Sequence, residues 1–237
     1  MGASSSRKFR QPSAMVDSSD EVVVAMAYQV DAHLAAAGHK LPRRGRPLSP
    51  LQQLEVAYAL RDLVHGHITE KHLSTAYASA SETARTASGD CTEHAVLLAA
   101  LLKARDIPAR VCHGLVYVAQ GGSAISGEVD SDSLDEPDAS EAGGRASAAV
   151  GASGEVEAGE KGQFGWHMWS QALVGGKWLD LDATLHVPYS VGHVLVGTSS
   201  MSDREAHNNH MQMAALIGNL EIDLISFSHE WKDATRA

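Results

Sequence analysis

The sequence predicts an α+β fold, with helices packed on one side of an antiparallel sheet. Up to Lys103 the apolar residues recur at helical spacing between strong capping signals. From Arg110 onward they fall into short β-branched and aromatic runs, two of them joined at a Gly-Gly turn. Between about Gln120 and Gly162 the composition turns abruptly to Gly, Ala, Ser and acid, which separates one strand from the next. At 237 residues, 44% of them hydrophobic, the chain is long enough for one domain with a sizeable core. The expected organisation is a flexible N-terminal segment over 1–18 and a single domain over 19–237, with a disordered insertion at about 120–162.

The first six residues, Met1-Gly2-Ala3-Ser4-Ser5-Ser6, fit the N-myristoylation pattern, which makes Gly2 a candidate lipidation site. Arg7, Lys8 and Arg10 follow, and a single acyl chain needs such a basic patch for stable attachment. Peripheral membrane contact through an acylated N-terminus is one expectation; a plain Ser-rich lead is the other.

Ser19 to Ala37 reads as a first helix, with Asp20 and Glu21 at its N-terminus and Gly38 placed to end it. Arg43, Arg44 and Arg46 lie in a Pro- and Gly-containing linker and read as a solvated run. Ser49-Pro50-Leu51-Gln52 forms a capping box with proline at the first helical position. Leu51, Leu54, Tyr58 and Arg61 follow at helical spacing, and Ala57, Leu60 and Val64 widen the apolar face.

The stretch Gly89-Asp90-Cys91-Thr92-Glu93-His94 reads as a turn entering a third helix, with Asp90 as N-cap and Leu97, Leu98, Leu101 and Leu102 at helical spacing. A thiol at a helix N-terminus feels the positive end of the macrodipole, which favours the nucleophilic thiolate. Cys91 is therefore a candidate nucleophile, whereas Cys112, in the middle of the strand Arg110 to Val118, reads as an inert filler. Farther on, Phe164 to Trp169 reads as a strand, Gly175-Gly176 as a turn and Lys177 to Asp182 as the antiparallel partner. With a period of two, His167 shares a face with Trp169, and Asp180 and Asp182 share a face of the next strand. A hairpin of this kind sets a histidine beside an aspartate, in the chain order nucleophile, base, orienting acid. Beyond it, Val191 to Val196 suggests another strand, Met211 to Leu220 a helix and Glu221 to Ser228 an edge strand.

The run Gly-Asp-Cys-Thr-Glu-His-Ala, the segment Ala104 to Val111, the block Trp166-His167-Met168-Trp169 and the block Trp178 to Thr184 together resemble the transglutaminase-like core domain. That family belongs to the broader papain-like thiol enzymes. The resemblance implies that Cys91 is the nucleophile, His167 the base and Asp182 the acid orienting the imidazole. Where the family commonly shows Asp-Pro-Thr, this chain has Asp182-Ala183-Thr184, a change expected to cost turn stiffness and not chemistry. The implied reaction is acyl transfer: thiolate attack on an amide or ester carbonyl through a thioester. Hydrolysis of a protease or amidase kind is favoured over transamidation, because the chain lacks the extra β-domains of full-size crosslinking transglutaminases. Trp166 and Trp169 are expected to wall the substrate site, and the partner is expected to be a protein or peptide substrate. The rival reading is a catalytically inactive binding or scaffold domain on the same fold.

Other classes are disfavoured. A net charge of −10 argues against nucleic acid as a partner. Two cysteines, one of them the candidate nucleophile, read as reduced thiols and a cytoplasmic setting. His65, His67, His72 and His94 invite a metal, but no ligand of the right spacing completes a tetrahedral set, so neither a metal nor another cofactor is expected. No apolar run reaches the length of a membrane span.

The stretch over 120–162 carries ten acidic residues against Arg145 and Lys161. It offers too little apolar surface to offset the entropy of ordering it. Deleting Ser123 to Gly159 is therefore expected to leave the melting temperature nearly unchanged; a large drop would show that the stretch packs against the domain.

Overall fold

The computed structural model describes residues 7–70, 78–119, 162–185 and 192–202. Over these residues the chain forms helices α1 (Glu21–Ala27), α2 (Val30–Ala36), α3 (Pro50–His67), α4 (Ala80–Thr86) and α5 (Cys91–Ala104). Strands β1 (Ala109–Ala119), β2 (Gly162–Val174), β3 (Lys177–Leu181) and β4 (His193–Ser199) form one sheet in the order β3-β2-β1-β4. Every neighbouring pair is antiparallel. This is the expected α+β class.

The core is organised around α5. From Glu93 to Lys103 all of its residues are buried, and Val96 to Leu102 have no exposed surface. A helix buried on every side must be enclosed by other elements. Here α1, α3 and α4 pack on it, with β1 and β2 beneath. Lys103, at the far end of α5, spends its ammonium on the carbonyls of Gln11 (3.1 Å) and Ser200 (2.9 Å), which ties both ends of the described chain to the central helix.

Several sequence expectations change on this frame. The single helix expected over Ser19–Ala37 is two, broken at Tyr28 and Gln29. The break has a tertiary cause. The buried Arg105 guanidinium donates to the Ala27 carbonyl at 2.8 Å, pairs with Asp31 at 2.7 Å and lies over the Tyr28 ring at 4.3 Å, so this side chain takes up what would be mid-helix backbone. In α3 the capping box forms as read, with both Ser49 and Gln52 reciprocating. Its buried stripe is Val56, Ala57, Leu60 and Val64, however, while Leu51 is 64% exposed and Tyr58 faces solvent beneath Arg61. Spacing alone offers two stripes on such a helix, and contact with α5 selects the second.

The lead expected to be flexible through residue 18 also packs where it is described. Phe9, in a 3-10 turn over Lys8–Arg10, sets its ring edge-on to Trp178 at 4.9 Å, and Val16 is fully buried in the core. Residues 1–6, the acidic stretch up to residue 161, and the helix and strand expected over 211–228 lie outside the described residues. Among the described residues no helix is long and apolar enough to cross a membrane.

β2 and β3 form the expected hairpin across Gly175-Gly176, both at positive φ (56° and 83°), which suits a tight two-residue turn. The described part of the fourth strand runs from His193, Val191 lying outside the described residues, and it pairs with β1 through a register shift at His113/Gly114. At that shift the backbones come very close. A Cβ on Gly114 would run into the Val194 carbonyl and stand 3.0 Å from the Trp169 ring. Gly114→Ala is thus expected to cost about 1–3 kcal/mol by overpacking, read from denaturant midpoints at constant slope. A change below about 0.5 kcal/mol would mean that β4 does not approach β1 so closely.

Candidate active site

The candidate nucleophile sits where the backbone is most constrained. Gly89 has φ 152°, and a Cβ there would collide with the Glu93 side chain, so only glycine admits this entry to α5. Its N–H donates to the Glu70 carbonyl at 2.9 Å, anchoring the turn. Asp90 then caps the helix as expected. Its Oδ1 accepts from the Thr92 N–H (2.8 Å), and Glu93 Oε2 accepts from the Asp90 N–H (3.0 Å). The other Glu93 oxygen accepts from the Ala78 N–H at 3.2 Å. Glu93 is fully buried, and burial together with the adjacent Asp90 side chain raises its pKa to about 6. Cys91 emerges as the first residue of α5, partly exposed.

Strand alternation places the partners. Met168, Ser170 and Ala172 of β2 turn toward α5, where Thr92 Oγ1 donates to Met168 Sδ (3.4 Å) and Ser170 Oγ to the Ala95 carbonyl (2.7 Å). His167, Trp169 and Gln171 take the other face. There His167 Nε2 donates to Asp182 Oδ2 at 2.6 Å, with both side chains almost completely buried. Burial alone would push the His167 pKa down, but its hydrogen bonds to Asp182 and Cys91 raise it to about 9. Since Nε2 is committed to Asp182, Nδ1 is the nitrogen left for the Cys91 thiol. The structure thus brings together Cys91, His167 and Asp182, the three residues singled out in the sequence.

Asp182 lies just beyond β3, at the head of a short turn. Its Oδ1 accepts from the backbone N–H groups of Thr184 (2.9 Å) and Leu185 (3.0 Å). This Asx turn supplies locally the stiffness that a proline at position 183 would give. Its Oδ2 accepts from a second imidazole as well, His193 Nε2 at 3.1 Å. Burial would raise the Asp182 pKa, but the hydrogen bonds from His167 and His193 outweigh it and hold the carboxyl far below the usual range.

Asp180, on the same face of the hairpin, has other partners: Trp169 Nε1 at 2.8 Å and Gln171 Nε2 at 2.6 Å both donate to its Oδ1. That leaves Trp169 buried, stacked near the His167 ring (6.0 Å between centroids, 20°) and edge-on to His193 (5.4 Å). Trp169 therefore backs the His167 ring from the interior, and Trp166 takes the opposite face of β2 and is half-buried. Cys112 is fully buried and its thiol pKa is pushed far up by burial, which suits the inert reading.

Of the histidines weighed as metal ligands, His65, His67 and His94 each turn a ring nitrogen to a backbone carbonyl, those of Ala183, Ala84 and Asp90. His72 lies outside the described residues. A different trio converges: one donor atom each from His167, Asp182 and His193, all within 4.8 Å of one another. Both imidazoles already donate to one carboxylate oxygen, so a cation there would have to displace both protons.

His193 was not singled out in the sequence. Its only signal is a lone imidazole in the apolar run Val191 to Val196, with no spacing that ties it to His167 or Asp182. The β1–β4 pairing, not the local sequence, brings it to the site.

Residues 44–183 match the transglutaminase-like superfamily. The chain belongs to that superfamily. No curated protein matches it. Among solved structures, the superfamily member described here is similar to a protein from Cytophaga hutchinsonii provisionally described as a cysteine protease. That pair shares 21% identity with a TM-score of 0.48, over 84% of this chain and 47% of the other. It also matches the periplasmic domain of TgpA from Pseudomonas aeruginosa, solved with ethylmercury bound. There the identity is 20% and the TM-score 0.29, over 63% of this chain and 48% of that one. The chain spans about half the length of both. Membership in the superfamily places the chain in a cysteine-enzyme family.

If His193 positions Asp182, His193→Ala should lower turnover about tenfold while KM stays close to its original value. Relieved of one donor, Asp182 becomes a stronger acceptor for His167, so the basic limb of the pH–rate profile should move upward. His193→Gln, which can still donate, should bring that limb back. Unchanged turnover and an unmoved limb in folded His193→Ala would leave His193 no part in orienting the acid.

Proposed function

We propose that this transglutaminase-like chain is a cysteine-dependent acyl-transfer enzyme acting on a peptide or protein amide. The observation that carries the reading is the Asp182–His167 hydrogen bond of 2.6 Å, buried and joined to Cys91 through the same imidazole. In the first step Cys91 attacks the carbonyl carbon as a thiolate beside the protonated His167. The Cys91 backbone N–H, at the N-terminus of α5, is the proposed donor to the oxyanion. As the C–N bond breaks, the imidazolium protonates the leaving amine and a thioester remains. His167 then takes a proton from water, whose oxygen attacks the thioester; the C–S bond breaks and the thiolate–imidazolium pair is restored. Asp182 holds the imidazole in the required tautomer throughout. These steps call for no metal or cofactor.

Hydrolysis is the proposed outcome, because the partly exposed Cys91 lets solvent water reach the thioester and compete with any amine. Transamidation shares the first half of the cycle. Peptide amides turned over with and without an added primary amine distinguish the two: a free acid supports hydrolysis, an amine adduct transamidation. The proposed setting is cytoplasmic, where both free thiols stay reduced.

Cys91→Ala is expected to abolish turnover with the fold retained, and a thiol alkylator should label Cys91 far faster than Cys112. His167→Ala should slow that labelling near neutral pH, because the cation that stabilises the thiolate is lost. Asp182→Asn should reduce turnover by roughly 10²–10⁴-fold, whereas Asp180→Asn should act mainly through Trp169 and Gln171 packing. If Asp180→Asn were the inactive variant and Asp182→Asn the active one, the acid would be misassigned.

The pH dependence has a definite sign. His167 has a pKa of about 9, raised from an ordinary histidine, so it is protonated at neutral pH. Its ability to protonate the leaving amine is lost as pH rises through that value. Turnover should therefore fall above about pH 9, while Cys91 alkylation, which needs only the thiolate, should not. Catalytically idle protein with an unreactive Cys91 would favour the binding-domain reading instead.

A further inference from the structure

The arginines of the loop between α2 and α3 are not scattered over the surface. The fold gathers Arg43, Arg44 and Arg46 with Arg10 and Arg105 around one pocket of about 370 Å³ beside Tyr28. The two acids that line it are both taken. Arg105 pairs with Asp31 at 2.7 Å, and Arg10 pairs with Asp106 at 2.8 Å. Arg44 lies over the Tyr28 ring at 4.3 Å. None of Arg43, Arg44 and Arg46 has an acidic partner among the described residues, and all three are exposed. A chain with net charge −10 thus presents three uncompensated guanidiniums on one small face. Guanidinium clusters of this kind match phosphate oxygens.

A further observation chooses among phosphate-bearing partners. Arg10 places the N-terminal basic turn at the same pocket, with Arg7 and Lys8 exposed beside it. The N-terminus and the loop are far apart in sequence, and only the tertiary structure makes them one basic surface. A basic surface assembled from two segments and wider than a single anion suits the layer of negative headgroups on a membrane better than it suits a free phosphate. We propose that this face docks on an anionic lipid membrane, with Arg43, Arg44 and Arg46 binding lipid phosphates. The surface stands independently of the proposed chemistry at Cys91.

The test uses the full chain, expressed without an acylating enzyme, in sedimentation with two kinds of vesicle: phosphatidylcholine alone, and phosphatidylcholine mixed with phosphatidylserine. The chain should sediment with the anionic vesicles only, and less so as salt is raised. Converting Arg43, Arg44 and Arg46 together to Gln should weaken this partition about a hundredfold, with an unchanged melting temperature. The double variant Arg43→Gln/Arg46→Gln, which keeps the Arg44–Tyr28 contact, should lose an intermediate amount. Arg61→Gln, whose guanidinium is paired with Asp62, should leave binding unchanged. Equal binding to both kinds of vesicle, or a triple variant that binds as well as the original, would overturn the proposal. So would protection of the pocket by inorganic phosphate in a chain that ignores anionic vesicles, which would make it a site for free phosphate.

Discussion

The carboxylate of Asp182 is the group on which the site depends. It accepts four hydrogen bonds, two from backbone N–H groups of its own turn and two from imidazoles on β2 and β4. A buried carboxylate without donors would be costly and would tend to protonate. With four, Asp182 stays ionised and in turn dictates that both histidines present Nε2–H to it. The His167 tautomer follows, with Nδ1 left for the thiol. One charge, fully satisfied, thereby orders residues from β2, β4 and the turn after β3.

A second constraint comes from α5. Its middle is buried on every side, so its position cannot shift without disturbing α1, α3, α4 and the sheet together. A reactive group at the end of such a helix is held by the core and not by a surface loop. The cap adds to this: Gly89, Asp90 and Glu93 interlock so tightly that a methyl at position 89 would strike Glu93. Glu93 is the member under electrostatic strain, buried beside another acid with its pKa raised to about 6.

The same sheet carries two ladders side by side on one face. His167 meets Asp182, and Trp169 with Gln171 meets Asp180. Two strand-adjacent aspartates thus have different work because their donors differ, one receiving imidazoles and the other an indole and an amide. Trp169 links the two ladders, held by Asp180 at its nitrogen and stacked near His167.

Much of this was legible in the sequence because the signals are local. Asp90 and Ser49 announce their helices through side chains that bond within three residues. Gly175-Gly176 announces the hairpin, and strand alternation puts His167 and Asp182 on the same face of it. The remainder was invisible for a physical reason, namely that it rests on contacts between segments distant in the chain. Arg105 breaks the first helix from 78 residues away, Phe9 finds Trp178, and α5 chooses which stripe of α3 is buried. His193 reaches Asp182 only because β4 pairs with β1 across a glycine-sized gap, and Arg10 meets the Arg43–Arg46 loop only because the helices fold them to one side. Sequence by itself determined the capped helix, the hairpin and the three residues they carry, since each depends on backbone geometry over a few residues. Tertiary structure alone decided the second histidine and the basic face, since each is a meeting of side chains that no local pattern encodes.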